Sequence, residues 1–127
     1  MPAKILYVED NPGEVFLLQQ AVRTLDENVQ LVTARDGEVA LNLLLSASVR
    51  PSVIVLDLNL PGINGIEVLK AVKSHPELKA VPTVVFAEMA ARKQIEMTGY
   101  TPELFLSKPM DLEGYKGVAK KIIALCA

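Results

Sequence analysis

Short apolar runs alternate with stretches of helical periodicity along the whole chain. Residues 5–8 (Ile5, Leu6, Tyr7, Val8) form a continuous apolar run, and Val15, Leu18, Val22 and Leu25 then recur at helical spacing. Asn11 or Asp10 is suited to cap this first helix, with Pro12 in its first turn. Residues 29–34 read as a second strand, and Val39, Leu43, Leu44 and Ala47 mark a second helix that closes before Arg50-Pro51. Residues 53–56 read as a third strand. Ile66, Leu69 and Val72 follow on a third helix, which ends near Ser74-His75-Pro76 because the residue before proline resists helical geometry. Val84-Val85-Phe86 is a fourth strand. A short fourth helix is expected within residues 90–97, interrupted early by Thr98-Gly99-Tyr100-Thr101-Pro102. Leu104-Phe105-Leu106 is a fifth strand, and Tyr115, Val118, Ala119, Ile122 and Cys126 mark the buried stripe of a last helix.

Short apolar strands alternating strictly with helices predict an α/β fold. Its form is an open, doubly wound, five-stranded parallel sheet with five helices covering both faces. In such a sheet the ligand site lies beyond the carboxyl ends of the strands. The 127 residues suit a single domain spanning 1–127, with no linker, repeat or additional output domain expected.

Composition narrows the function. Thirteen basic and fifteen acidic residues leave a net charge of −2 with no basic tract, so nucleic acid is not the expected partner. No apolar run approaches the roughly 20 residues that span a bilayer. The N-terminus carries no secretory pattern, so a cytoplasmic location is expected. Cys126 is the only cysteine, which excludes an internal disulfide and a cysteine-based zinc cluster.

The candidate chemistry sits where the strands end. The run Val53-Ile54-Val55-Leu56 stops on Asp57, and an isolated ionised carboxylate cannot be buried in an apolar layer without a large cost. Strand one is followed by Glu9-Asp10 and strand five by Lys108. Taken singly, each acid reads as a turn residue or a helix cap. Together, three carboxylates converging on one sheet edge repel one another, and a hard divalent cation relieves the repulsion. Magnesium, which accepts a few protein oxygens, retained waters and a phosphate, is the expected cofactor. Lys108 adds a cation suited to a phosphoryl oxygen, so the set reads as magnesium-assisted phosphoryl chemistry with a carboxylate nucleophile. Asn64-Gly65 reads as a tight turn, His75 as a solvated helix end, and Met89, Met97 and Met110 as core fillers or surface contacts.

Val8-Glu9-Asp10-Asn11, Asp57-Leu58-Asn59-Leu60-Pro61 with Gly65, and Ser107-Lys108-Pro109 resemble the motifs of the response-regulator receiver domain. That resemblance implies a flavodoxin-like receiver fold with strand order 2-1-3-4-5. It implies a two-component phosphoprotein, or phosphorelay member, that takes a phosphoryl group from a sensor histidine kinase. Asp57 matches the phospho-acceptor, Asp10 a direct magnesium ligand, Glu9 its acidic neighbour, and Asn59 the position whose backbone carbonyl completes the metal shell. Lys108 matches the lysine that pairs with the phosphoryl group, followed by a cis bond to Pro109. Phe105 matches the switch aromatic.

One position departs from the family pattern. Where receivers carry a threonine or serine hydroxyl after strand four, this chain has Ala87, whose methyl group cannot hydrogen-bond a phosphoryl oxygen. The resemblance therefore implies two alternatives: a phospho-accepting receiver, or a receiver-fold module that binds or dimerises without needing phosphorylation. The wording of the Asp57 loop is similar to that of stand-alone receivers serving phytochrome-type kinases. The apolar segment Ala87-Glu88-Met89-Ala90-Ala91, with Phe105 and Tyr115, suggests a homodimer or kinase contact on the face of helix four, strand five and helix five.

Overall fold

The computed structural model describes residues 3–46, 48–58 and 64–126. The strands β1 (Lys4–Val8), β2 (Gln30–Ala34), β3 (Val53–Leu56), β4 (Thr83–Ala87) and β5 (Leu104–Ser107) form one sheet in the order β2-β1-β3-β4-β5, every pair parallel. The helices are α1 (Pro12–Leu25), α2 (Gly37–Leu45), α3 (Gly65–Ser74), α4 (Arg92–Glu96) and α5 (Leu112–Ala124), and a single 3-10 turn at Met89–Ala91 precedes α4. The expected fold and strand order are both observed.

The central strands are apolar because alternate residues are buried on opposite faces of the sheet. Leu6, Val8, Ile54, Leu56, Val85 and Ala87 pack with α2 and α3, whereas Ile5, Tyr7, Val53, Val55, Val84 and Phe86 pack with α1 and α5. All four residues of β3 are buried, as befits a central strand covered on both faces. No helix of the described residues is long and apolar enough to cross a membrane.

Several local expectations are refined. Asn11 is the N-cap of α1, its side chain accepting from the Gly13 and Glu14 N–H groups at 2.9 and 3.2 Å, so Asp10 is released from capping. Asn64-Gly65 is not a tight turn: Asn64 caps α3 by accepting from the Glu67 N–H at 3.1 Å, and Gly65 is the first helical residue. Turns and helix caps favour the same residue types, which is why the pair misleads. In α2 the inward positions are Ala40 and Leu44, with Val39 and Leu43 only half-buried, while Ala47 lies outside the described residues. Leu25 is exposed at the end of α1. The His75 ring caps locally, its Nδ1 accepting from the Glu77 N–H at 3.1 Å. Met89, Met97 and Met110 are all on the surface rather than in the core.

Candidate functional site

Backbone hydrogen bonds carry the sheet one residue past three strand ends and so fix where the charged side chains begin. The Glu9 N–H donates to the Ala34 carbonyl at 2.9 Å, Asp57 N–H to Val8 at 3.1 Å, and Lys108 N–H to Ala87 at 3.1 Å. Glu9, Asp57 and Lys108 thus emerge side by side at the carboxyl edge of β1, β3 and β5. The Lys108 ammonium lies 2.9 Å from Glu9 Oε1, 3.2 Å from Asp57 Oδ2 and 2.7 Å from Glu14 Oε2. Glu9 and Asp57 are buried, while Asp10 is exposed at the mouth.

Two glycines make this close assembly possible. A Cβ on Gly65 would run into the backbone carbonyl of Asp57, so only glycine lets α3 start this near the site. A Cβ on Gly114 would strike the Pro109 ring, so the first turn of α5 presses directly on the segment after Lys108.

The sequence reading missed Glu14 and Tyr7. Glu14 occupies the first turn of α1, where an acid is commonplace, and its partnership with Lys108 spans 94 positions. Tyr7 is hidden within an apolar strand. It lies two residues before Glu9, on the same face of the pleat, and its hydroxyl donates to Glu9 Oε1 at 3.1 Å. Strand alternation carried one residue past β1 would have paired them.

Burial, then a hydrogen bond shared with Glu14 and the neighbouring Asp57, push the Glu9 carboxyl up to about 8 against the pull of Lys108. Burial alone would raise Glu14 as well, but the Lys108 ammonium and the bond to Glu9 hold it below its ordinary value. Burial opposes the charge on Lys108, yet Glu14 and Glu9 outweigh it and raise the ammonium's pKa. Burial, then the charge and hydrogen bond of Glu9, push the Tyr7 phenol far up, so it stays protonated and donates to Glu9.

The donor set fits a hard divalent cation. Carboxylate oxygens of Glu9, Asp10 and Asp57 lie within 4.8 Å of one another, and all are oxygen ligands. Asn59, whose carbonyl was expected to complete the shell, lies outside the described residues. The expected cis bond before Pro109 is not found: no cis peptide occurs among the described residues. Trans is the favoured isomer by about 0.5–1 kcal/mol even before proline.

Ala87 closes β4, buried, with its methyl among α2–α3-side core residues. Phe105 is half-buried against the same core, and the Arg92 guanidinium lies 5.8 Å from the centre of its ring. Tyr115 is buried on the opposite face of the sheet, packed edge-on to Phe86 at 5.8 Å, and therefore contributes nothing to an exposed contact surface.

The family model for the response regulator receiver domain matches residues 5–118. This chain is a response regulator receiver domain. The receiver is 40% identical over 89 residues to response regulator Rcp1 of Synechocystis sp., an alignment covering 66% of this chain and 60% of that protein. It is 29% identical over 126 residues to sporulation initiation phosphotransferase F of Bacillus subtilis, covering 98% and 97% of the two chains. Among solved structures, the phosphorylated cyanobacterial phytochrome response regulator RcpA superposes with a TM-score of 0.86 at 33% identity, covering 96% of this chain and 91% of RcpA. The Mn(2+)-bound form of Rcp1 superposes with a TM-score of 0.85 at 32% identity, covering 97% and 93%. As a receiver, the protein belongs to two-component signalling: it is a phospho-accepting, divalent-metal-binding domain whose partners are histidine kinases.

Proposed function

We propose that Asp57 is the residue that accepts the phosphoryl group, with Lys108 as its cationic partner and Glu9, Asp10, Asp57 and the backbone carbonyl of Asn59 as the metal shell. The observation that carries this reading is the Lys108 ammonium bridging Glu9 and Asp57, beside the oxygen cluster those two share with Asp10. An Asp57 oxygen attacks phosphorus, the new O–P bond replaces the N–P bond to the kinase histidine, and the ring nitrogen leaves with the electron pair. Magnesium, when bound, supplies positive charge against the oxygens of the transferring group. Lys108 offers a second cation to those oxygens, and the buried position of Asp57 limits access of bulk water.

Intact-mass spectrometry tests the assignment. With magnesium and acetyl phosphate the wild type gains one phosphoryl mass and Asp57→Asn gains none. An unlabelled wild type, under conditions that label another receiver, refutes the reading.

Among histidine kinases, we propose a phytochrome-type kinase in the cytoplasm as the partner. Support comes from the similarity to RcpA and to the bacteriophytochrome response regulator AtBRR, the latter with a TM-score of 0.81 at 28% identity. Phosphotransfer profiling against the sensor kinases of the source cell tests it, and a faster reaction with an unrelated kinase overturns it. The homodimer reading rests on a reduced surface of Met89, Ala90 and Met97 beside half-buried Phe105, without Tyr115. With Ala87 lacking the hydroxyl, self-association is expected to depend little on Asp57 occupancy. Sedimentation of wild type and Asp57→Asn, each with and without phosphodonor, reads this directly, and dimerisation only on phosphorylation overturns it.

A further inference from the structure

Glu14 takes no part in the motifs that identify the family, yet it makes the shortest contact to the site lysine. An ammonium has three N–H donors, and those of Lys108 face Glu14 Oε2 at 2.7 Å, Glu9 Oε1 at 2.9 Å and Asp57 Oδ2 at 3.2 Å. Glu9 and Asp57 also belong to the oxygen cluster suited to a cation, whereas that cluster is completed by Asp10 rather than by Glu14. Once Glu9 and Asp57 are drawn to a metal and a phosphoryl group, Glu14 is the carboxylate left to hold the lysine.

Its conformation supports the same role. With Asn11 as the N-cap, Glu14 is the third residue of α1, where a glutamate ordinarily turns back to the N–H of the cap. Here the Asn11 N–H donates instead to Glu9 Oε2 at 3.3 Å, and the Glu14 carboxylate reaches across to Lys108. The side chain is only 28% exposed and Lys108 11%, so the pair is shielded from most of the solvent that weakens surface ion pairs.

We propose that Glu14 is a positioning residue for phosphoryl transfer, anchoring the Lys108 ammonium on the α1 side so that its remaining donors stay aimed at Asp57. The idea rests on the assignment of Asp57 and Lys108 above. Glu14 works as a fixed counter-charge: it replaces part of the reorganisation the lysine would otherwise undergo when its other two carboxylates change partners.

The test compares wild type, Glu14→Gln and Glu14→Ala in magnesium-dependent labelling by acetyl phosphate, followed by intact mass. At saturating magnesium, Glu14→Ala is expected to slow labelling roughly five- to twentyfold, with Glu14→Gln between it and wild type, as expected for loss of a charge-assisted hydrogen bond. The magnesium concentration at half-maximal rate should stay within about twofold, since Glu14 acts through the lysine. A loss confined to that concentration, vanishing at saturation, would mean that Glu14 serves the metal and would overturn the proposal. Labelling of Glu14→Ala at the wild-type rate would overturn it as well.

A second readout does not depend on labelling. In the magnesium-loaded wild type the Lys108 ammonium should give an exchange-protected 15N cross-peak, identified by its loss in Lys108→Met, and that peak should disappear in Glu14→Ala. Its absence from the wild type, or persistence in Glu14→Ala, refutes the anchoring. A wild type that shows the peak but takes no phosphoryl group refutes the function of Asp57 instead, so the two failures are distinct. Should Glu14→Ala fold poorly, Glu14→Gln, which keeps the side-chain volume, carries both readouts.

Discussion

The edge formed by β1, β3 and β5 and the region around β4, α4 and β5 are built on opposite principles. At the first, the buried charged groups are tied together: Lys108 to Glu9, Glu14 and Asp57, and Glu9 in turn to the Tyr7 hydroxyl and the Asn11 N–H, with Asp10 exposed at the mouth. At the second, Ala87 presents a methyl group, α4 is only five residues long after a 3-10 turn, and the half-buried Phe105 meets an exposed arginine on its outer side. The first region has the density of contacts that chemistry requires. The second lacks a hydroxyl that could bond a phosphoryl oxygen, so on the proposed assignment of Asp57 it is expected to be the weaker half of a switch.

The sharpest way to break the contrast is to remove the cation that binds the first region together. Lys108→Ala strands Glu9 and Asp57 as buried acids, and we expect a loss of about 3–5 kcal/mol of metal-free stability, read by urea unfolding. Magnesium should bind this variant more tightly than wild type, because its internal competitor is gone. An unchanged urea midpoint would show that the ion pairs contribute nothing net.

The second experiment tries to repair the weaker region. Ala87→Thr supplies the missing hydroxyl, and a hydrogen bond to a charged oxygen corresponds to about a tenfold or larger bias between conformations. On addition of acetyl phosphate and magnesium, amide shift changes at Phe105 and along β5 should be larger in the variant than in wild type. Equal changes in the two proteins would show that the wild type is already fully coupled.

A third experiment uses pH. In the metal-free site Glu9 titrates near 8, above its ordinary 4.5, so the folded protein holds a proton that the unfolded chain has lost. The sign follows from linkage: metal-free stability should fall as pH rises from about 4.5 through about 8. Cation binding requires the ionised carboxylate, so magnesium affinity should climb over the upper part of that window, by at most about tenfold per pH unit. Calorimetry in buffers of different ionisation heat reads the proton released. Affinity independent of pH between 6 and 8 would place Glu9 outside the titrating set.

The smallest effect concerns the arginine over Phe105. Arg92→Ala removes a largely exposed cation–π contact and should cost about 0.5–1 kcal/mol, visible as a small drop in Tm. A larger loss would mean that the second region is tied down more firmly than its sparse contacts indicate.

The strands and the placement of Glu9, Asp10, Asp57 and Lys108 were legible because each depends on pattern within a few residues, whereas the strand order was implied only by the family resemblance. The apolar runs fixed β1, β3 and β4, and the charged residues follow the runs directly. Glu14 was not legible, since nothing near it in the chain distinguishes a lysine anchor from an ordinary first-turn acid. The trans bond at Pro109 escaped for an energetic reason, as the two isomers differ too little for local sequence to decide. Tyr115 was placed both in a buried stripe and on an outer surface; α5 packs it beneath Phe86, so only the stripe holds.

The hydrogen bond from Tyr7 to Glu9 also gives the protein an optical property. The chain contains three tyrosines and no tryptophan, so its ultraviolet emission comes from the phenols alone. Tyr7 is fully shielded from solvent and donates to a carboxylate of the phosphoryl site, with Phe86 at 6.1 Å as its ring neighbour. Any cation that takes hold of Glu9 changes the electrostatic surroundings of that phenol without touching it. Occupancy of the site is therefore expected to change an intrinsic, label-free fluorescence signal, and Tyr7→Phe should shrink that change, leaving the weaker response of Tyr115.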